Sequence, residues 1–455
     1  MQSYTAHRMT DTQQAQGQSN EPALHIDWID SHAVGIVKAL QKAGHTSYLV
    51  GGCVRDLLLG MHPKDYDIAT AAHPPQVKRL IHMAFIIGKR FRLVLVKRGD
   101  QQFEVATFRK ELDLKEFPIE QFPDGPPPGD NIFGTPEEDA KRRDFTINAM
   151  FYDPISGDLI DYVGGKDDMA THTLRMIGDP EKRLIEDPIR ILRAIRLTHK
   201  IGFMIEPSLR QAMATHASEL KKSVLPRRRE ELLKVLHLDD PMLALTECHD
   251  LGVLAQIFPS IEKMFEKPER LERFSMLFES LRRSVTDQSN TVQVFAWLLM
   301  SMLETWREEA PENGVWPKID DGDFGQFMRD ELGMYKFEQS QVVDAIRQIG
   351  LLQRADDYRK KGERRQSNLV RKEGFQVALS LAQADYRLTP TDAAFWTEVF
   401  EKARPEIEAQ RSERSQNRTA RRRRRPPKRG RNQAQDSDDG DSSQNEMPED
   451  TPTID

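Results

Sequence analysis

Two aspartates separated by one residue, Asp65 and Asp67, follow a di-glycine pair in the segment LVGGCVRDLLLGMHPKDYDIAT (residues 49–70). In an extended strand the side chains at i and i+2 point to one face, so both carboxylates can bind the same hard cations. Gly51 and Gly52 lack the Cβ that would keep a polyphosphate away from the backbone N–H groups, and a helix expected just after them adds its positive dipole end. These residues predict a site that handles phosphates with divalent cations.

A third carboxylate, Glu104, lies inside the strand-like run QFEVATF (residues 102–108). Phe103 and Val105 point to one side of such a strand and Glu104 points to the other. A carboxylate among β-forming residues needs a partner, and a metal ion is the natural one. Alternating acids alone are more often a solvated strand face. The prediction of a metal site therefore depends on Glu104 and the glycine turn together.

Taken in order, these motifs resemble the nucleotidyltransferase superfamily and, within it, the class II family of bacterial poly(A) polymerases and CCA-adding enzymes. The resemblance is specific over about residues 45–260. GGCVRDLLLG with DYD is similar to the first family motif. The later motifs are EVATFR (residues 104–109), RRDFTINAM (142–150), EDPIRILRAIR (186–196) and the weaker PRRREELLK (226–234).

The resemblance implies that Asp65, Asp67 and Glu104 are catalytic and hold two Mg²⁺ ions. One ion would lower the pKa of an RNA 3′-hydroxyl that attacks the α-phosphate of ATP, and the other would neutralise charge on the departing pyrophosphate. The resemblance also implies a set of nucleotide-binding residues: Gly51, Gly52, Arg55, Arg143, Asp144, Asp187, Arg190, Arg193 and Arg196.

In the family, the residues at Asp187 and Arg190 read the incoming base. An acceptor beside a donor suits the amino group and ring nitrogen of adenine or cytosine, whereas guanine and uracil present the reverse pattern. The structural alternative for Asp187, which precedes Pro188, is a helix N-cap. The motif leaves adenine and cytosine both open.

The segment TPEEDAKRRDFTINAM (residues 135–150) predicts a helix with Thr135 as N-cap, proline at the first helical position and Glu138 completing a capping box. Its acids precede its bases, as the helix macrodipole favours. Lys141 and Arg142 therefore have a structural alternative, as dipole-matched residues at the helix end.

The run IIGKRFRLVLV (residues 86–96) favours an A-adding polymerase, because it is similar to the form found in bacterial poly(A) polymerases. CCA-adding enzymes more often continue with a Gly-Thr-Val type sequence. We expect Lys89, Arg90 and Arg92 to face RNA. The alternative is an amphipathic strand with its basic residues toward solvent.

A basic arm at residues 411–431 has 11 basic residues and one acid. At its centre are five consecutive arginines: Arg421, Arg422, Arg423, Arg424 and Arg425. No core can form there, so we expect a disordered arm that binds RNA phosphates without reading sequence. The alternatives are a solubility tail or contacts to anionic lipid. Residues 436–455 then carry eight acids and no base.

Composition places few limits on this interpretation. The 455 residues suffice for about three domains. Cys53 and Cys248 are the two cysteines, which implies no disulfide framework and a reducing compartment, so we expect a cytoplasmic protein. No run approaches the roughly 20 apolar residues that span a bilayer.

We predict an α+β fold in which an N-terminal mixed-sheet nucleotidyltransferase head precedes an all-helical neck and body. The expected order is a disordered leader (residues 1–23), the head (24–180), a neck with base recognition (181–261), an RNA-binding body (262–405), and a disordered tail, basic then acidic (406–455). The last of these follows from composition alone.

Within the head, strands are expected at RLVLV (residues 92–96), QFEVATF (102–108) and DLIDYV (158–163), with TLRMIG (173–178) as a late partner. A proline-rich insertion containing DGPPPGDN lies at residues 111–130. No regular element could contain it, so we expect a mobile loop beside the active site.

Two features of the helical region have structural rather than catalytic interpretations. His249 and Asp250 resemble half of a metal phosphohydrolase centre, but no histidine follows His249 in the chain. We expect them to end a helix before a Gly252 turn and predict no hydrolase activity. The tryptophans of this region are expected to pack in the core: Trp297, Trp306 and Trp396.

The leading hypothesis is a polymerase that adds AMP from ATP to RNA 3′ ends without a template and so marks RNA for decay. RNA with little sequence preference and ATP are the expected partners, the family likeness suggests RNA decay machinery as a further one, and we expect a monomer. A CCA-adding tRNA enzyme is the alternative. A non-catalytic RNA-binding protein is the third hypothesis, against which the three acids argue.

Overall fold

A computed structural model describes residues 24–88, 93–110, 133–283, 290–309, 322–384 and 386–423, with the backbone alone for residues 306–309, 322–323 and 411–423. A mixed sheet occupies the N-terminal part of these residues, and helices make up most of the rest. The expected α+β architecture, with a mixed-sheet head before helical regions, is confirmed.

Seven strands form the sheet of the head: β1 (Ser47–Val50), β2 (Asp67–Thr70), β3 (Ala84–Ile87), β4 (Leu93–Arg98), β5 (Gln101–Thr107), β6 (Phe151–Tyr152) and β7 (Leu159–Ile160). Their order is β3-β4-β5-β2-β1-β6-β7. Strands β2 and β5 are parallel, and the other neighbours are antiparallel. In β5, Phe103 and Val105 are buried while Glu104 is exposed, as the period of two predicts.

The sheet has an apolar cluster on each face. Leu49, Ile68 and Val105 belong to the large core that continues into the helical regions. Ala69 and Phe108 belong to a small separate cluster. Because side chains alternate between the two faces along a strand, the face of Ala69 is also the face of the first residue of β2. This face therefore carries both apolar side chains and Asp67, and the site described below lies on it.

Five helices accompany the sheet: α1 (Ser31–Lys42), α2 (Gly52–Leu58), α3 (Pro74–Leu80), α4 (Pro136–Lys141) and α5 (Gly165–Ala170). Helix α4 has the predicted capping box, in which Thr135 accepts from Glu138 N–H and Glu138 accepts from Thr135 N–H. The prediction of a helix through residue 150 is wrong. After α4 the backbone of Thr146 donates to the Arg175 carbonyl instead, so hydrogen bonds to another segment replace the helical ones.

The expected strand at TLRMIG does not join the main sheet. Strand β8 (Thr173–Leu174) pairs in parallel with β9 (Met204–Ile205) as a separate two-stranded sheet. The strand expected over residues 158–163 is also shorter than predicted. It ends at β7 because the Asp161 carboxylate accepts the backbone N–H groups of Val163 and Gly164 and so forms a turn.

Helices follow almost without interruption in the described residues after the head: α6 (Pro180–Glu186), α7 (Arg190–Ile201), α8 (Pro207–Thr215), α9 (Leu225–Leu236), α10 (Pro241–Asp250), α11 (Val253–Ile257), α12 (Pro259–Glu262), α13 (Pro268–Arg282), α14 (Thr291–Glu309), α15 (Gly322–Gln326), α16 (Lys336–Leu352), α17 (Ala355–Lys361), α18 (Glu363–Val370), α19 (Phe375–Ala384) and α20 (Pro390–Arg423). Across the part of the chain that the structure describes, no helix is both long and apolar enough to cross a bilayer.

The tryptophans with described side chains pack as predicted. Trp297 and Trp396 are buried, and the Trp396 indole N–H donates to the Leu352 carbonyl at 2.9 Å. The side chain of Trp306 lies outside the described residues. Trp297 of α14 packs on Phe278 of α13, whereas Trp396 of α20 packs on Tyr358 of α17 and Phe375 of α19.

His249 lies in the last turn of α10, and Gly252 follows at a φ of +70°. The turn predicted from the sequence is confirmed. The His249 Nδ1 atom lies 2.9 Å from a Glu262 carboxylate oxygen, and the ring stacks on Phe265. The imidazole is therefore part of the packing between α10 and α12.

Candidate active site

Asp67 and Glu104 are neighbours in the sheet. Asp67 opens β2, and Glu104 is its register partner in the parallel strand β5. Asp65 lies two residues before β2, in the preceding loop rather than in the strand expected for it. Tyr66 between the aspartates is buried, and its hydroxyl donates to the Trp28 carbonyl. The anchored tyrosine leaves both flanking carboxylates exposed.

All three carboxylates line one cavity of about 950 Å³. That volume is within the range of small-molecule sites. Asp65 and Asp67 also line a second cavity of about 610 Å³. The basic side chains in the wall of this second cavity come from the head, α7 and α9: Arg55, Lys64, Arg196, Lys200 and Lys234. The aspartates thus lie between two openings, the first with more acidic than basic residues in its lining and the second with more basic than acidic ones.

The crowded acids change the ionisation of Asp67. Asp67 is accessible from the cavity, but the surrounding protein removes part of the water around its carboxylate. This desolvation, and then the negative charge of Glu104, raise the pKa of Asp67 to about 6, although Arg143 acts in the opposite direction. A bound cation would relieve this repulsion, because opposite charge favours the ionised carboxylate. The donor chemistry therefore fits a hard divalent cation such as Mg²⁺.

The three carboxylates do not form a complete metal site by themselves. Among the described residues, no group of three or more His, Cys, Asp or Glu side chains is close enough to hold a metal ion. Asp65, Asp67 and Glu104 therefore share a cavity wall without forming a complete coordination sphere. An ion held there would need further oxygen ligands, which Mg²⁺ ordinarily takes from water and substrate phosphates.

The di-glycine turn lies directly beside these acids. Gly51 has a φ of +80°, and a Cβ there would stand 3.7 Å from Nη1 of Arg143 and 3.7 Å from Oδ2 of Asp67. Helix α2 begins at Gly52, so its first N–H groups have no intrahelical acceptor. Glycine thus keeps open a gap between a guanidinium and a carboxylate at a helix start, where a phosphate oxygen can be bound.

Arg143 is held in place by a buried acid. Its Nε and Nη2 atoms donate to one oxygen of Asp139 at 3.1 and 2.7 Å, while Arg142 donates to the other oxygen. The guanidinium carbon of Arg143 lies 5.6 Å from the centre of the Phe151 ring. Its remaining nitrogen, Nη1, faces Gly51. Lys141 makes an exposed ion pair with Glu137 of the same helix.

Asp144, predicted to contact the nucleotide, is turned toward α7. Its carboxylate accepts from Nε of Arg193 at 2.9 Å and from the Phe145 N–H at 2.8 Å. Burial favours the neutral acid, but the charge of Arg193 and these hydrogen bonds hold the pKa of Asp144 below its ordinary value. Asp144 thus positions Arg193 and joins the head to α7.

Arg55 is buried within the head. Its Nε atom donates to Asp56 at 2.8 Å, and Nη1 donates to Asn148 at 2.5 Å. The second oxygen of Asp56 accepts from Lys200 at 3.0 Å. This chain of contacts fixes α2 against α7 beside the second cavity.

Asp187 is paired with an arginine of α9. Its two carboxylate oxygens accept from Arg227 at 2.8 and 2.9 Å. The N-cap interpretation of Asp187 is wrong, because α7 begins at Arg190 and no side chain caps it. Arg190 donates to the Arg183 carbonyl at 2.7 Å. Both predicted base-reading residues are described by the structure, and both lie outside the lining of the two cavities.

Arg193 and Arg196 lie further along α7. Arg193 carries the ion pair with Asp144, and Arg196 donates from Nε to Glu231 of α9 at 2.7 Å. Arg196 also contributes to the wall of the second cavity. Of the four predicted residues at positions 187–196, Arg196 is the one that lines a cavity shared with Asp65 and Asp67.

Two regions of the chain match models of known protein families. Residues 47–175 match the family model described as the poly A polymerase head domain, and residues 202–265 match the model described as "Probable RNA and SrmB- binding site of polymerase A". Residues 47–175 and 202–265 of the chain are thus similar to the poly(A) polymerase family. The family resemblance inferred from the motifs is confirmed.

Family members of both kinds align with the chain. Poly(A) polymerase I of Salmonella typhi is 35% identical over 296 residues, which span 63% of this chain and 64% of that one. The CCA-adding enzyme of Lactobacillus helveticus is 39% identical over 203 residues, which span 45% and 49%. The chain therefore spans less than two thirds of the length of these relatives.

A solved family structure shares the fold over a longer region. The CCA-adding enzyme of Bacillus stearothermophilus, solved in complex with CTP, superposes with a TM-score of 0.59 at 25% identity. The superposition covers 83% of this chain and 82% of that one. The likeness thus continues through the helices beyond the two matched family regions.

Most of the predicted RNA contacts lie outside the described residues: Lys89, Arg90, Arg92, Arg424 and Arg425. Arg421, Arg422 and Arg423 end α20, where the backbone alone is described. The backbone over residues 406–423 is thus helical, whereas the sequence predicted a disordered tail from residue 406. The leader, the insertion at residues 111–130 and the acidic end are also outside the described ranges. Their predicted roles stay predictions.

Two lysines that no sequence motif predicted line both cavities. Lys64 directly precedes Asp65, and Lys234 ends the fifth motif. The Lys234 ammonium donates to Glu230 of the same helix at 2.7 Å. The adjacency of Lys64 to the aspartates was a signal available in the sequence, whereas the position of Lys234 depends on how α9 packs against the head.

Proposed function

We propose that this chain adds adenylates from ATP to RNA 3′ ends without a template and releases pyrophosphate. The observation that carries the proposal is the register pairing of Asp67 with Glu104 at a cavity also lined by Asp65, within a head domain of the poly(A) polymerase family. The similarity of this chain to poly(A) polymerase I, at 35–38% identity, supports ATP as the substrate.

In this proposal, Asp65, Asp67 and Glu104 would hold Mg²⁺. The bound metal would supply Lewis-acid activation of the RNA 3′-hydroxyl and charge neutralisation on the leaving pyrophosphate. The protein itself contributes the gap at Gly51, where a phosphate oxygen can approach Arg143. Asp139 holds Arg143 in that orientation, so the guanidinium is positioned before the nucleotide binds.

Base selection is assigned to Asp187 and Arg190. In the structure the Asp187 carboxylate is engaged by Arg227. We propose that the adenine amino group takes one of these two acceptor positions when ATP binds, while Arg227 keeps the other. Guanine offers a carbonyl where adenine offers an amino group, so it would place an acceptor against an acceptor.

The CCA-adding activity is the second candidate. It is favoured by the relative from Lactobacillus helveticus and by the superposition on a CCA-adding enzyme in complex with CTP. Incubation with CTP and a tRNA that lacks its 3′ end separates the two activities. For the leading function we further propose that the protein is a cytoplasmic monomer. The poly(A) tails that it adds would mark RNA for decay.

The direct test is incorporation of radiolabelled ATP into a generic RNA by the full chain, with and without Mg²⁺. We expect incorporation that requires the metal and is abolished in Asp67→Asn. A full chain that binds the RNA but incorporates no nucleotide would instead support the non-catalytic RNA-binding hypothesis.

A further inference from the structure

Two aromatic side chains at the start of α16 are exposed on the surface, unlike the buried aromatic residues of the core. Tyr335 is 56% exposed and Phe337 is 61% exposed. Their rings are nearly parallel, with 7° between the planes and 6.0 Å between the centroids. Exposed apolar side chains that lie together, rather than singly, are typical of surfaces that bind a partner, and these two rings lie together.

An arginine of α9 supports this aromatic pair. The guanidinium carbon of Arg229 lies 4.9 Å from the centre of the Tyr335 ring, within cation–π distance. Its Nη2 atom donates to the buried Glu338 at 2.6 Å, and Glu338 also accepts the Tyr335 N–H. The ring of Tyr335 is thus fixed by contacts on its backbone and on one face.

The same helix connects the pair to the catalytic cavity. Glu230 and Lys234 of α9 line the cavity that holds the three carboxylates. The loop before Tyr335 packs tightly on α9, since a Cβ at Gly333 would lie 3.1 Å from Leu225. The aromatic pair is therefore attached to a wall of the active site.

We propose that Tyr335 and Phe337 form a stacking platform for bases of single-stranded RNA that lie upstream of the 3′ end in the active site. Every base has a flat π face, so stacking tolerates any sequence. Lys336, exposed between the two aromatic residues, supplies a cation for the RNA backbone. The platform deepens the proposed function, on which it rests for the direction of the RNA.

The test uses the full chain with Tyr335→Ala and Phe337→Ala combined, and oligoadenylates of roughly four and roughly 20 nucleotides. We expect the Kd for the long RNA, measured by fluorescence anisotropy, to rise at least about fivefold, which corresponds to about 1 kcal/mol of lost stacking. The Kd for the short RNA should stay unchanged. The KM for long RNA should rise while kcat is retained.

Two further variants separate stacking from other effects. Tyr335→Trp with Phe337→Trp should retain the affinity, because indole rings also stack on bases. Tyr386→Ala, at a ring that is 91% exposed, is the matched control and should bind long RNA as the unchanged protein does. The slope of log Kd against log salt should be the same in the alanine double variant, because no phosphate contact is removed.

Unchanged affinity of the alanine double variant for long RNA would overturn the platform. Loss of self-association in that variant, with RNA affinity retained, would also overturn it and would assign the surface to a second copy of the chain. Binding is measured without nucleotide, so an enzyme that incorporates no ATP but loses RNA affinity in the variant would retain the platform and refute the proposed function.

Discussion

Asp67 and Glu104 occupy the same register position in the parallel strands β2 and β5. Like charges on directly adjacent strand positions destabilise a sheet, and the raised pKa of Asp67 reflects desolvation of its carboxylate first and repulsion by Glu104 second. A cation bound by both carboxylates would remove this repulsion. The pairing is therefore difficult to explain as an ordinary solvated strand face, although alternation alone would permit that interpretation.

Removing the charge from any of the three acids should stop catalysis without unfolding the head. Asp65→Asn, Asp67→Asn and Glu104→Gln each keep the shape of the side chain. We expect at least about a 100-fold loss of kcat, or about 3 kcal/mol of barrier, with the Tm retained or increased. Asp100→Asn changes an acid in the wall of the same cavity and should retain activity. Variants of the three acids with rates within about tenfold of the unchanged protein would contradict the assignment.

The ionisation of Asp67 predicts two pH effects. Its pKa is raised from 3.8 to about 6 in the folded chain, so its contribution to stability is greatest below pH 3.8 and is lost as the pH rises through about 6. In metal-free protein the Tm of Asp67→Asn should lack this dependence. Mg²⁺ competes with the proton, so its affinity should fall as the pH drops below about 6. A Tm difference between the two proteins that is constant from pH 4 to 7 would exclude the raised pKa.

A substitution at Gly51 tests whether the space between Arg143 and Asp67 binds a phosphate of ATP. In Gly51→Ala the new methyl group would narrow the space between Arg143 and Asp67, and the positive φ would add backbone strain of about 1–3 kcal/mol. Gly44→Ala is the matched control, because Gly44 has a φ of +86° and no atom within 4 Å of the added Cβ. Both variants should lose stability, but Gly51→Ala should also raise the KM for ATP. An equal KM in the two variants would remove the gap from the mechanism.

Asp187 tests base selection. Asp187→Asn adds a donor where the proposal needs an acceptor, so discrimination between ATP and GTP should fall by at least about tenfold in kcat/KM. Arg227→Gln, which removes the partner of Asp187 and leaves its carboxylate, should retain the preference for ATP. Competition between ATP and GTP at limiting RNA measures both. Retained discrimination in Asp187→Asn would move base recognition to other residues.

Local patterns predicted the parts of this molecule that depend on local chemistry. The strand alternation around Glu104, the capping box at Thr135 and the Gly252 turn each need only neighbouring residues, and each is confirmed. The end of α4 at Lys141 and the pairing of β8 with β9 depend on contacts between segments far apart in the chain. No periodicity in one segment encodes the position of its distant partner.

In the site, too, some features follow from local sequence and others from contacts between distant segments. Proximity of Asp65 to Asp67 follows from their spacing, but the inward turn of Arg55 and the pairing of Asp144 with Arg193 arise from packing of the head on α7. Tyr335 and Phe337 carry no motif, and their significance became visible only through their exposure and the contact with Arg229.

The most direct test of the central claim is incorporation of each of the four nucleoside triphosphates, one at a time, into a generic RNA and into a tRNA lacking its 3′ end. We expect ATP alone to be added, to both RNAs and in many successive steps, with one pyrophosphate released for each nucleotide. Addition of CTP followed by a single ATP, confined to the tRNA, would contradict this expectation.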